Sequence, residues 1–267
     1  NLLMGDMKTW RINPPLPTPQ TTDFIQYFGA ETWIGPQSEW WLNQDLNIEQ
    51  RESPIKWPPD PFVSYGRFKV LSQTQESITI TSDPSPLTGL KMTKVYEVTS
   101  DGKVLMTTHV TNTAEQPKKF DIWHIVRTPV SAVPSFVTDK ESYKVEGPTH
   151  DYERMVIHKL EENELFDNMY NFLFDTEAMQ ADAQKRTGEK ETTPVYTAKA
   201  FCSHANDGLY TVFSKRDDVF MVLHTDAFPA KDLEDGAAPI EVYCYYDAIE
   251  DKGFYEIEFH SPTMTLQ

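Results

Sequence analysis

Short runs with a two-residue alternation of apolar and polar side chains dominate the sequence and most constrain its fold. Between Phe62 and Thr128 these runs are Ser77–Thr81, Leu90–Thr99 and Val104–Asn112, and turn residues separate them. Such a pattern predicts an antiparallel meander, because alternate residues of a strand point to opposite faces of the sheet. The Asp101-Gly102 pair between the last two runs predicts a tight hairpin turn with positive φ.

The alternation resumes in the second half of the chain, where the predicted strands are Val195–Ser203, Leu209–Ser214, Val219–Thr225, Ile240–Asp247 and Phe254–Ser261. Between the two halves, only Glu161–Gln184 has a pattern that is compatible with a helix. Regular short strands without alternating helices predict an all-β (mainly β) sandwich. Since large β-sandwiches commonly reach about 250 residues, we expect the 267 residues to form one domain.

The first sixty residues are rich in proline and tryptophan. Prolines interrupt helices and central strands, so this segment is predicted to wrap over the fold as long loops. It also carries five of the six tryptophans, Trp10, Trp33, Trp40, Trp41 and Trp57. Because large aromatic rings have little use in a solvated linker, we expect them to pack on the body of the protein or to line a site.

Charge and motif content exclude several classes of function. The net charge of −17 would repel a nucleic-acid backbone or an anionic membrane surface, and no apolar run is long enough to span a bilayer. Cys202, Cys244 and the histidines lack metal-ligand spacing, so we expect no metal and no cofactor. The chain opens at Asn1 rather than at a methionine, which is the pattern of a processed or truncated chain and leaves periplasmic, secreted and cytoplasmic localisation open.

The last predicted strand places three titratable groups on one face. Alternation puts Tyr255, Ile257 and Phe259 on one side, and Glu256, Glu258 and His260 on the other. Two neighbouring carboxylates disfavour joint ionisation, which is one way to make a proton donor or acceptor that works near neutral pH. The alternative is an exposed, solvated face.

The preceding strand adds tyrosines to that face. In Ile240–Asp247 one parity carries Glu241, Tyr243, Tyr245 and Asp247, and a short connection through Ala248–Lys252 predicts a hairpin with the last strand. Aromatic rings beside carboxylates suit a sugar, whose C–H faces stack on rings while its hydroxyls need acceptors. The alternative is that the tyrosines only bridge a half-exposed sheet.

A third strand is predicted at Phe120–Arg127. His124 shares its parity with Phe120, Ile122 and Val126, which favours a buried structural histidine, whereas Asp121, Trp123 and Arg127 form an amphipathic opposite face.

Three segments resemble the galactose mutarotase-like superfamily, which includes aldose 1-epimerases and many bacterial proteins of unknown function. The first, Phe28-Gly-Ala-Glu-Thr-Trp-Ile-Gly-Pro-Gln37, is similar to the segment that opens the sugar site. The second runs from Val110-Thr-Asn-Thr113 through Gln116-Pro117 to Trp123-His124, and it resembles the strands that lead to the catalytic histidine. The third, Tyr255-Glu-Ile-Glu-Phe-His-Ser-Pro262, is similar to the late strand with the catalytic glutamate.

The resemblance implies an antiparallel supersandwich whose concave sheet face binds sugar. It assigns His124 as the acid and Glu258 or Glu256 as the base of a reaction that interconverts sugar anomers. The residues that would contact the sugar are Trp33, Gln37, Trp40, Trp123, Arg127, Tyr243, Tyr245 and His260. Unlike in the aldose epimerases, Ile125 and Val126 follow the histidine in place of Tyr-Phe, and the early Asn-Arg pair is missing.

Three functions are therefore open from the sequence. In the first, the chain binds a small-molecule carbohydrate as an aldose 1-epimerase-like isomerase that uses His/Glu acid–base catalysis. In the second, it is a non-catalytic carbohydrate-binding or accessory domain. The third alternative is a structural or partner-binding β-sandwich. The identity of the sugar and the oligomeric state are left open.

Overall fold

The structure is a computed structural model that describes residues 16–22, 30–137, 143–146, 155–159, 169–186, 195–202, 209–216, 219–226, 228 and 232–267. It is mainly β, with antiparallel sheets, and this confirms the predicted fold class. Its helices are α1 (Ile48–Glu52), α2 (Pro61–Ser64) and α3 (Thr176–Arg186), and a 3-10 helix covers Gln37–Glu39. In these described parts of the chain, no helix is long and apolar enough to cross a membrane.

The strands follow the alternation in the sequence. They are β1 (Ala30–Gly35), β2 (Lys69–Gln73), β3 (Ser77–Thr81), β4 (Leu90–Val98), β5 (Val104–Asn112), β6 (Lys118–Pro129), β7 (Pro134–Val137), β8 (Tyr143–Glu146), β9 (Met155–Lys159), β10 (Met169–Phe174), β11 (Val195–Cys202), β12 (Leu209–Arg216), β13 (Val219–Asp226), β14 (Ile240–Asp247), β15 (Lys252–His260) and β16 (Met264–Leu266). The predicted bounds of β3, β5 and β14 are confirmed.

Two local predictions have different outcomes. The predicted hairpin joins β4 to β5 and Gly102 adopts a φ of +83°, but the connection covers residues 99–103 and is longer than the two-residue turn expected at Asp101-Gly102. The segment Glu161–Gln184 includes a helix, as expected, because α3 begins within it at Thr176, whereas Met169–Phe174 of the same segment form β10. Cross-strand pairing of β10 with β7 and β9 overrides its weak local pattern. Residues 161–168 lie outside the described residues.

The described chain divides into two compact units, and the single-domain prediction stays a prediction. The first unit contains Glu31–Trp123 and Thr263–Gln267, and the second contains His124–Pro262. Strand β6 belongs to both, because its first six residues lie in the first unit and the rest in the second.

In the first unit, a four-stranded sheet with the order β2-β3-β4-β5 faces a core that β1 and β6 complete. The core residues are Ile34, Val63, Leu90, Met92 and Phe120. Pro36 directly follows β1, and Asp60 caps α2 by accepting a hydrogen bond from the backbone N–H of Phe62. In its described residues 30–60, the proline-rich segment therefore forms one strand, short helices and loops.

In the second unit, β6, β15, β14, β11 and β8 follow one another in a sheet, and a second sheet has the order β13-β12-β7-β10-β9. The first of these sheets buries one face against α3 and residues of β10. Its core side chains alternate with polar ones along each strand, and they include Ala198, Ala200 and Cys202 of β11, Ile240, Val242, Cys244 and Tyr246 of β14, and Tyr255, Ile257 and Phe259 of β15. The opposite face carries the polar residues.

Candidate functional site

The β14–β15 hairpin brings the predicted polar residues together. Glu241 pairs with Glu258, Tyr243 with Glu256, and Tyr245 with Phe254, in an uninterrupted antiparallel register. Since directly paired residues place their side chains on the same face, the predicted hairpin and its two faces are confirmed.

Strand β11 extends this face on the other side of β14. Lys199 pairs with Tyr243, and Phe201 pairs with Glu241. We call this surface of the second unit the acidic face, and it comprises Arg127, Lys199, Phe201, Glu241, Tyr243, Tyr245, Phe254, Glu256, Glu258 and His260.

The carboxylates of the acidic face are buried rather than solvated. Glu241 and Glu258 are 2% and 1% exposed, and Glu256 and His260 are also buried. Ionised carboxylates are costly to bury unless cations and hydrogen-bond donors neutralise them. The face must therefore supply its own positive charge.

Lys199 supplies that charge to two of the glutamates. Its Nζ lies 2.9 Å from Glu258 Oε2 and also forms an ion pair with Glu241 Oε2. His260 Nε2 lies 3.8 Å from the same oxygen of Glu241. These groups form one connected network that spans three neighbouring strands.

Arg127 neutralises the third glutamate. Its Nε donates to Glu256 Oε1 at 2.7 Å, and both side chains are buried. Arg127 therefore forms a buried salt bridge with Glu256 of β15.

The surroundings of Glu258 and Glu241 shift their pKa values in opposite directions. Burial is the largest effect and raises the pKa of Glu258 to about 7; the Lys199 ammonium acts to lower it, and the charges of Glu241 and Glu256 act to raise it. Burial also acts to raise the pKa of Glu241, but the Lys199 ammonium and the His260 imidazole hold that pKa at about 2. Two acids whose pKa values diverge in this way are typical of acid–base sites.

The cation and the tyrosine beside these acids keep their protons. Although burial alone would lower the pKa of Lys199, the carboxylates of Glu258 and Glu241 raise it. Burial, followed by the charge of Glu256, raises the pKa of Tyr243. Lys199 is therefore an ammonium and Tyr243 a neutral hydroxyl at physiological pH.

Aromatic rings border the buried charges. The rings of Tyr245 and Phe254 stack with centroids 5.3 Å apart and planes inclined by 14°, and Tyr243 lies 6.4 Å from Phe254. Tyr243 and Tyr245 are half-buried, so part of each ring is open. The acidic face thus offers both partly exposed ring surfaces and polar hydrogen-bonding groups.

His124 does not join this face. Alternation along β6 places it opposite to Arg127, and Arg127 is the residue that contacts Glu256. The histidine that lies beside the glutamates is His260, whose ring and the carboxylates of Glu241 and Glu258 offer atoms within 4.8 Å of one another. The assignment of His124 as the acid stays a prediction, and the histidine that the described residues place next to Glu258 is His260.

The predicted tryptophan platforms belong to the first unit and pack on one another. Trp33 makes edge-to-face contacts with Trp40 and Trp123 at centroid distances of 5.9 and 5.1 Å, and all three rings are buried. Their contact surfaces are taken up by this cluster, so they are core residues rather than stacking platforms for a sugar. Gln37 is exposed, and its Nε2 donates to the backbone oxygen of Lys56 at 3.3 Å.

Lys199 is the main functional residue that the sequence analysis missed. The alternation of β11 could have indicated it, because the small apolar residues Ala198, Ala200 and Cys202 lie on one face of the strand and Lys199 lies on the other. What the sequence does not reveal is that β11 pairs with β14, which is a long-range contact.

Glu241, Glu258 and His260 have the donor types of a metal site, but Lys199 forms ion pairs with both carboxylates. An ammonium that contacts both carboxylates supplies the positive charge that a metal ion would bring. The donor set is therefore best described as an internally neutralised acid–base network.

The sequence from residue 8 to residue 267 matches one protein family, whose description is "Domain of unknown function (DUF4380)". A comparison with curated proteins finds no match. The resemblance to the galactose mutarotase-like superfamily is not addressed by this family match and stays a prediction.

Proposed function

We propose that this chain, which belongs to the DUF4380 family, binds a neutral carbohydrate on the acidic face. The observation that carries the proposal is the row of half-buried Tyr243 and Tyr245 directly beside buried, ion-paired glutamates. Sugars combine weakly polar C–H faces with many hydroxyls, so they need rings to stack on and charged acceptors to bond with. Both requirements are met within three neighbouring strands.

The charge of the acidic face favours a neutral sugar over a phosphorylated one. Its three glutamates face two permanent cations, and the whole chain carries a net charge of −17. Arg127 is the cation that a phosphate would need, but its side chain is buried and bound to Glu256. A phosphoryl group would meet uncompensated negative charge.

The reaction that this network supports best is the interconversion of sugar anomers. Glu258, with a pKa of about 7, exchanges a proton with the anomeric hydroxyl. His260, beside Glu241 and Glu258, is the group that serves the ring oxygen in place of the predicted His124. Ring opening followed by closure then inverts the anomeric carbon without any cofactor.

Binding without turnover is the second candidate function. It is favoured by the position of His124 on the opposite face of β6 and by Lys199, which already bonds the two acids. A proton-transfer group that is tied to an ammonium is a poorer acceptor for a substrate proton.

Calorimetric titration with a panel of neutral hexoses, pentoses and disaccharides tests the binding proposal. We expect saturable heat for at least one sugar and weaker or no heat for its 6-phosphate. Replacing Tyr243→Ala should weaken binding about 5-fold, since an aromatic contact contributes roughly 1 kcal/mol. The matched control Tyr96→Ala removes a half-buried strand tyrosine from the first unit and should leave the affinity unchanged.

Optical rotation separates the two candidate functions. Fresh α-anomers of the sugars that bind should reach anomeric equilibrium faster with the protein, and Glu258→Gln should abolish the acceleration. An unchanged rate together with saturable binding would leave a non-catalytic carbohydrate-binding protein. No saturable binding by any sugar would refute the proposal itself.

A further inference from the structure

A second site of chemical interest lies in the first unit, at Lys94 of β4. Lys94 is 5% exposed and sits between Ile80 of β3 and Thr108 of β5 on the face that holds the core residues Leu90 and Met92. A lysine that points inward is unusual, because ammonium groups are almost never buried unless a carboxylate pairs with them.

Two groups near Lys94, the Phe68 ring and the Glu31 carboxylate, favour its charged form without forming an ion pair with it. Its Nζ lies 5.1 Å from the centroid of the Phe68 ring, within the range of a cation–π contact. Glu31 acts on it electrostatically, although in the part of the chain that the structure describes no carboxylate oxygen lies within 4 Å of Nζ. Glu31 is itself buried and accepts a hydrogen bond from Trp33 Nε1 at 3.1 Å.

A buried hydroxyl completes the cluster. Thr108 is the cross-strand partner of Lys94, so both side chains are on the same face. Among the described residues, Thr108 Oγ1 is a buried oxygen without a hydrogen-bond partner. Buried polar atoms are normally satisfied, so a hydroxyl that is left open on the same strand face as the amine is available to a ligand oxygen.

We propose that Lys94 is a nucleophilic amine that forms an imine with a small, uncharged aldehyde or ketone. The charge of Glu31, which acts on Lys94, disfavours an anionic ligand, and the burial of the amine disfavours a bulky one. Nothing in the carbohydrate proposal depends on this site, so either can fail alone.

The chemistry is balanced and needs no oxidant or reductant. The lone pair of Lys94 Nζ attacks the carbonyl carbon, and the carbonyl oxygen takes the proton that the nitrogen loses, which gives a carbinolamine on the strand face that Thr108 shares. The carbinolamine hydroxyl then takes a second proton from solvent, the C–O bond breaks, water leaves with the electron pair, and an iminium remains. Phe68 and Glu31 favour this cation for the same reasons that they favour the ammonium.

The burial of Lys94 also increases the fraction of its side chain that is an uncharged amine. Burial lowers the pKa of Lys94 to about 8, with Glu31 acting in the opposite direction. Exposed Lys103, at the tip of the β4–β5 hairpin, has its pKa raised by a hydrogen bond to Asp101. At pH 7 a larger fraction of Lys94 than of Lys103 is therefore free amine.

Trapping with propanal and cyanoborohydride tests the proposal on the intact chain. Peptide mass spectrometry at pH 7 should show initial propylation at Lys94 at least 10-fold faster than at Lys103, with a rate that rises with pH to a midpoint near 8. Glu31→Gln should move this midpoint to lower pH. Lys94→Arg should remove the fast adduct, and the matched control Lys103→Arg should keep it.

The propylation rates of Lys94 and Lys103 in the unmodified protein test the proposal even if a variant does not fold. Propylation at Lys94 that is no faster than at Lys103 would overturn the proposal, whether the cause is an inaccessible amine or an ordinary pKa. A fast adduct that persists in Lys94→Arg would overturn it as well.

Discussion

Replacing Glu258 by glutamine should change how the stability of the protein depends on pH. Glu258 is buried, and its pKa in the folded protein is about 7 against an ordinary value of 4.5. A raised folded-state pKa means that the folded protein holds the proton more tightly than the unfolded chain does. Its stabilising contribution is therefore fully present below pH 4.5 and is lost as the pH rises to 7.

The magnitude follows from the shift. One pKa unit corresponds to about 1.4 kcal/mol, so between pH 5 and pH 8 the unmodified protein should lose about 2–3 kcal/mol relative to Glu258→Gln. Glutamine keeps the shape of the side chain and can still accept a hydrogen bond from Lys199. The difference between the two proteins thus isolates the ionisation of Glu258.

Urea denaturation at several pH values from 5 to 8 measures this difference. The matched control Glu250→Gln removes an exposed glutamate from the turn before β15, and its effect should stay within about 0.5 kcal/mol. A difference between the unmodified protein and Glu258→Gln that is constant over this range would refute the assignment of Glu258 as a group that titrates near neutral pH.

Three further substitutions test other parts of the structure. Lys199→Met leaves Glu241 and Glu258 buried without their shared cation and should cost about 3–5 kcal/mol in urea denaturation at pH 7.5, and a loss below 1 kcal/mol would contradict the network. Ile257→Ala empties a fully buried position of β15 and should cost about 2–5 kcal/mol in the same assay, whereas a neutral effect would place Ile257 outside the core. Gly102→Ala meets no neighbouring atom, so the φ of +83° alone should cost about 1–2 kcal/mol, measured as a lower Tm; an unchanged Tm would contradict the turn geometry.

Most of the correct sequence predictions came from the alternation of apolar and polar side chains along short segments. The two faces of β14 and β15 follow from side-chain periodicity alone, and the short turn between the strands fixes their register. The hairpin at Asp101-Gly102 was predictable for the same reason, because a positive φ selects glycine at that position. These features depend on residues that are close in the sequence.

The features that the sequence did not reveal depend on long-range pairing. Nothing local indicates that Lys199 comes to lie between Glu241 and Glu258, since this requires β11 to pair with β14. The burial of the glutamates likewise depends on partners that are distant in the sequence. Alternation alone did place His124 on the apolar side of its strand, and the resemblance to the mutarotase-like superfamily, rather than the parity, suggested a catalytic role.

The tryptophans illustrate a different limit. Composition predicted that the rings would either pack on the body or line a site, and both outcomes bury aromatic surface. The contacts among Trp33, Trp40 and Trp123 decide between them, because each ring covers another. Whether neighbouring rings cover one another or leave a gap for a ligand is a property of three-dimensional packing that a sequence pattern does not encode.

A crystal structure of the protein soaked with a mixture of neutral monosaccharides tests the central claim most directly. The account predicts density for a sugar ring against Tyr243 and Tyr245, with its hydroxyls within hydrogen-bonding distance of the Lys199, Glu256 and Glu258 network. Sugar density that is confined to other surfaces, with the acidic face unliganded at saturating sugar, would contradict it.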